Sequence, residues 1–259
     1  MRMMKKVLGT VTVLALSVSL LAGCGSTAAS PVSSAASTAA ESTTSSVVSE
    51  TTSAAADENV AAAAQLLNDL TGSYQELWPV ILADEYQQTW LDDCTALVGE
   101  ENAEAAFEKL SSMVTSDVYG EDAVEAYANG GGAYFCGFTN SLATLTFDGE
   151  TSTISGTDKD GNVLFSHTYH YIGMEPVHGL YEFESDDADS GEFTYFFLAP
   201  DTSAETYHIE FRYGSDADAL SQYDAGEYAY WVASGISTDC DQTMIDNCIE
   251  LFCTENLAG

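Results

Sequence analysis

The chain is poor in positive charge. Of its 259 residues only six are Lys or Arg, against 41 Asp or Glu, for a formal net charge of −35. A chain of that sign repels nucleic acid and anionic lipid surfaces, so neither is expected as a direct partner. Catalytic signatures are also missing. There is no G-x-S-x-G elbow, no P-loop and no H-E-x-x-H helix. No two cysteines stand in a C-x-x-C spacing, which removes the zinc-ribbon class. Their neighbours are acidic or apolar, a setting that disfavours thiolate. With 41 acids, a carboxylate pair somewhere is inevitable and says nothing about hydrolysis. The expectation is a protein that is not an enzyme.

Long apolar runs are absent except at the start. Val7 to Leu21 is apolar, follows Arg2, Lys5 and Lys6, and is too short for a typical spanning helix. It ends in Leu21-Ala22-Gly23-Cys24, which resembles a bacterial lipobox. Residues 1–23 are therefore read as a lipoprotein signal peptide and Cys24 as the lipid attachment site. The expected address is extracytoplasmic, with the chain anchored to the cell membrane. Residues 24–57 are rich in Ser, Ala and Thr and hold no aromatic. Such a stretch buries too little to offset chain entropy, so it reads as a flexible linker. Beyond the leader, the 41 acids face only Lys109, Lys159 and Arg212.

The remaining residues, 58–259, suit one domain with a real core. All 14 Tyr, 11 Phe and 3 Trp fall after residue 70. From Glu58 the pattern is helical: "ENVAAAAQLLNDL" ends at Thr71-Gly72. "SYQELWPVILADEYQQTWLDDCTAL" continues it with a break at Trp78-Pro79, and "EENAEAAFEKLSSMV" and "EDAVEAYAN" follow. After Gly130-Gly131-Gly132 the chain reads as strands as far as about Tyr213. Asp148-Gly149 and Asp160-Gly161 mark hairpin turns. Tight turns with no helices between strands argue an antiparallel sheet or barrel. A short helix near Asp216–Gln222, the aromatic segment "GEYAYW" and a helix near Asp241–Glu255 complete the chain. The class is α+β, mainly β, with helices at both ends.

Several segments, in order, resemble the ZinT (YodA) domain, a zinc-binding domain of bacterial envelopes. "LTGSYQELWPVIL" is similar to the opening of that family. "HTYHYIG", "GLYEFES" and "GEFTYFFLAP" resemble its successive strands, and "HIEFRYGSDADAL" its His-x-His stretch with the following helix. "GEYAYW" stands where the family has a Trp-Pro-Thr-Tyr-Tyr-Pro segment. The resemblance covers about residues 66–235. It implies a lipocalin-like (calycin) antiparallel β-barrel with flanking helices. It also implies binding of zinc, with cadmium accepted, in metal homeostasis, and zinc-uptake transporter components as partners.

The family site has three histidines, one before Ala-Pro and then the His-x-His pair. Here His208 matches the first of that pair and Glu210 replaces the second. Counting back from Ala199-Pro200, the remaining ligand position falls on Phe196. The Zn2+ site is therefore incomplete relative to the family, because zinc takes four donors. Further ligands are sought in His178, His170 and His167. The last two are three apart in a strand and face opposite sides, so they do not join one site together. The alternative function is a calycin-type barrel whose metal site has degenerated and which binds a small apolar or peptidic ligand. A third is a structural or partner-binding lipoprotein with a filled barrel and an exposed apolar patch.

With Cys24 lipidated, five cysteines remain at positions 94, 136, 240, 248 and 253. The last three lie on or beside one predicted helix, and offsets of eight and five residues turn through roughly 80° and 140°. They do not bridge one another readily, which leaves pairing with Cys94 or Cys136 open.

Overall fold

The computed structural model describes residues 47–199 and 208–258, with side chains from Glu58 onward. The leader, Cys24 and the first part of the linker stretch lie outside the described residues. Helix α1 spans Val47–Asp69, so it begins within the stretch read as linker. Ala63, Leu66, Leu67 and Leu70 recur at helical spacing and are buried against the barrel.

The strands are β1 (Gly72–Glu76), β2 (Thr144–Asp148), β3 (Thr153–Thr157), β4 (Val163–Met174), β5 (Tyr181–Ser185), β6 (Tyr195–Leu198), β7 (His208–Gly214) and β8 (Ala233–Ser237). Each pairs antiparallel with its sequence neighbour, and β1 pairs with β8 to close a barrel. The two hairpin signals are seen as the β2–β3 and β3–β4 turns. At the first, the turn presses on the end of α1. A Cβ at Gly149 would meet the Asn68 Cα at 2.4 Å, and the Gly149 N–H donates to Thr71 Oγ1 at 3.0 Å.

Two expectations need correction. "SYQE" is not helix but most of β1, and β8 arises from "ASGIS", which carries no strand signal. β8 is buried on both faces, so it lacks the alternation that marks a half-exposed strand.

The barrel interior is aromatic. Phe147, Ile154, Phe183, Phe196, Phe211 and Tyr213 are buried there, with Tyr169 and Phe165. Phe165 stacks on Phe193 at 4.0 Å between ring centres, and Phe196 meets Tyr169 edge-on at 5.4 Å. Each such side chain contributes about 1.5–3 kcal/mol by leaving water.

A second core lies outside the barrel wall. It is built by α2 (Trp78–Ile81), α3 (Gln87–Val98), α4 (Glu100–Val114) and α7 (Gln242–Leu257). Trp90, Leu110, Ile245 and Ile249 are buried there, together with Ile236 from the outer face of β8. Asp241 caps α7 by accepting the Met244 N–H at 3.0 Å. Two short helices, α5 (Glu121–Ala126) and α6 (Ala217–Leu220), and 3-10 turns at Asp84–Tyr86 and Gly191–Phe193 make up the remaining helical segments of the described residues.

Candidate functional site

Strand β7 sorts its residues by alternation. Ile209, Phe211 and Tyr213 enter the barrel core. His208, Glu210 and Arg212 take the other face. The pairing agrees: His208 stands opposite Ile236, which belongs to the helical core outside the wall. The two matched ligand positions therefore lie between barrel and helices, not in the barrel lumen.

There they line a crevice with Leu77, Trp78 and Ile81 on one side and Cys248, Leu251, Phe252 and Glu255 of α7 on the other. Its void is about 20 Å³, room for one water or one ion. Imidazole, carboxylate and thiolate are all zinc donors. The Cys248 thiol is pushed up to about 12 by burial, and then by the Glu210 carboxylate, so without a metal it stays protonated. Among the described residues, no three His, Cys, Asp or Glu side chains are grouped to hold a metal ion. A four-coordinate zinc site is thus not preassembled. The crevice is lined by His208 and Glu210 from the strand and by Cys248 and Glu255 from the helix.

The other sequence-predicted residues lie elsewhere. Phe196 faces the barrel interior, 5.4 Å from the Tyr213 ring. It is separated by the wall from His208 and Glu210. His170 Nδ1 lies 2.8 Å from Asp186 and His167 Nδ1 2.8 Å from Asp187, so both engage the acidic loop after β5. His178 sits in the β4–β5 loop with its ring 4.0 Å from that of Tyr223. The structure brings His208 and Glu210 to one crevice and puts His170 and His178 in other settings.

Sequence reasoning missed Cys248 and Glu255. They are seven residues apart on α7, a spacing that returns to the same helical face, but nothing in the sequence says that this face meets β7. It also missed a larger recess of about 340 Å³ lined by Glu76, Trp78, Pro79, Val114, Phe135 and Cys136. There Glu76 accepts the Phe138 N–H at 2.6 Å.

The fold defines a class: a lipocalin-like, closed eight-stranded antiparallel barrel with a helical layer on its outside. The sequence matches no protein-family profile and no curated protein. Among solved structures, the chain is similar to the zinc-bound ZinT-like domain of Streptococcus pneumoniae AdcA. The two are 15% identical with a TM-score of 0.45, over 71% of this chain and 89% of that one. It is also similar to zinc-bound AdcA from the same organism, at 14% identity and a TM-score of 0.42 over 72% of this chain. It spans 35% of that longer protein. No helix among the described residues is long and apolar enough to cross a membrane.

Proposed function

We propose that the protein is an extracytoplasmic, lipid-tethered barrel module that takes up a divalent cation, zinc foremost, between β7 and α7. His208 and Glu210 are the strand ligands. Glu255 and Cys248, which line the same crevice from α7, are the candidate further donors. The observation that carries this reading is that all four residues line one small crevice between β7 and α7. Two strand ligands alone hold zinc weakly, so the site is suited to exchange rather than permanent storage. The acidic surface concentrates cations near it without selecting among them. Metal homeostasis is the role this supports, with cadmium as a second cargo and zinc-uptake components as recipients. The lipid anchor at Cys24 would keep the module at the membrane.

Calorimetric titration of zinc into the metal-stripped protein is the test, with His208→Ala and Glu255→Gln beside it. The expected result is one binding event, weakened at least tenfold by His208→Ala and less by Glu255→Gln. Binding indifferent to both would remove the crevice from the account.

A second reading rests on the filled barrel. Phe196, Phe211 and Tyr213 are each fully buried inside it, so an apolar ligand in the lumen finds its place already taken. If zinc does not bind, the module works through its outside. Ile172 and Met174, each 41% exposed toward the end of β4, and Val177, 70% exposed beyond it, are then the surface to probe for a protein partner.

A further inference from the structure

We infer that Cys94 and Cys253 form a disulfide that ties α3 to α7. Their Sγ atoms lie 3.9 Å apart, from positions 159 residues apart in the chain. Both side chains are wholly buried. A disulfide bond is about 2.05 Å long, so closure needs the two sulfurs to approach by roughly 2 Å. Among the described residues no other two thiols are within hydrogen-bonding distance. In the structure all five are thiols, and this approach favours pairing Cys94 with Cys253 of the C-terminal group. Cys136, Cys240 and Cys248 remain as thiols.

The chemistry is an exchange with a disulfide oxidant, either a thiol–disulfide oxidoreductase or a small-molecule disulfide. One cysteine attacks an oxidant sulfur as thiolate and forms a mixed disulfide, releasing the first oxidant thiol. The second cysteine then displaces the other oxidant sulfur. Two electrons pass to the oxidant, its S–S bond breaks, and the two protons lost by Cys94 and Cys253 appear on its thiols.

Burial raises both thiols in the folded state, and the apolar surroundings leave little thiolate to react. Oxidation therefore precedes final closure of the helical layer. Once made, the bond is shielded from reductant. Its place on α7 gives it a structural consequence: Cys253 lies between Cys248 and Glu255, so the bond pins the helix wall of the crevice. The cross-link does not depend on the cation reading.

The experiment uses the full chain, refolded with glutathione disulfide, alkylated in denaturant without reductant, and mapped by mass spectrometry. The expected result is a linked peptide pair holding Cys94 and Cys253, with Cys136, Cys240 and Cys248 alkylated. Alkylation of both Cys94 and Cys253, or their linkage to other cysteines, would overturn the inference. Thermal unfolding provides an independent readout that needs no variant to fold. The oxidised protein should melt roughly 10 °C above the reduced one. A Cys94→Ser variant should lose that dependence on reductant. Equal midpoints for oxidised and reduced wild type would also overturn it.

Discussion

The Arg212 guanidinium carbon lies 4.2 Å from the centre of the Tyr223 ring, and Arg212 is wholly buried. Its Nη1 donates to the Leu220 carbonyl. Its Nη2 donates to the carbonyls of Tyr228 and, at 3.2 Å, Gln222. Of the three basic residues after Lys6, this one lies inside, holding the end of α6 and the segment after it against the outer face of β7. Replacing it with Met leaves those carbonyls without a donor. A loss of about 3–5 kcal/mol is expected in urea unfolding. Arg212→Lys should rescue little of it, since one ammonium cannot match a planar fork.

With Arg212 inside, Lys109 and Lys159 are the exposed bases of the described residues. Crowded carboxylates then set the pH response. Asp93 is raised by burial and then by Glu250, Asp246 and Asp92. Glu182 is raised by burial, then by Glu175 and Asp218. Each native value lies above its unfolded one, so the native state binds more protons between the two values. Stability therefore falls as pH rises through that window and is greater on its acid side. Asp93→Asn should raise the melting temperature at pH 7, and the gain should vanish below about pH 4. Added salt should move the wild type the same way at neutral pH.

Phe196→His places a histidine at the position the ZinT pattern assigns. Because Phe196 faces the lumen and His208 the opposite side of the wall, the variant should gain no zinc affinity by calorimetry. It should also lose stability, by about 2–4 kcal/mol, as a polar ring replaces a packed aromatic. Tightened zinc binding would mean that β6 and β7 present these two side chains to a common site.

Gly149→Ala tests the seat of α1. The added methyl would meet the Asn68 backbone at well under van der Waals distance. A cost of about 1–3 kcal/mol is expected. Amide exchange should show it as faster opening of α1 residues such as Leu66 and Leu67, with β5 and β6 unaffected.

Much of the barrel was legible in the sequence. Alternation and Asp-Gly turns marked β2, β3 and β4, and periodic apolar residues marked α4 and α7. The two strands that close the barrel were not legible. Gly72–Glu76 runs directly into a helix-forming stretch, and Ala233–Ser237 is built of small residues buried on both faces. Their strand character comes from each other, an interaction no local window contains. The site was half legible. His-x-Glu on one strand face was readable from a period of two. Which face was not, because it depends on whether α7 or the lumen lies beside it. Glu255 and Cys248 stayed hidden for the same reason.

The pairing of β1 with β8 has a further consequence in time. The chain folds a meander whose first strand must wait for its last. Tyr74 meets Ser237 across a separation of ~160 residues, a contact whose loop-closure entropy delays it. A nascent chain therefore carries an open sheet with a bare β1 edge until nearly the whole domain has emerged. Its vulnerable interval is this wait, and truncations that remove β8 should yield edge-to-edge aggregates rather than a smaller soluble barrel.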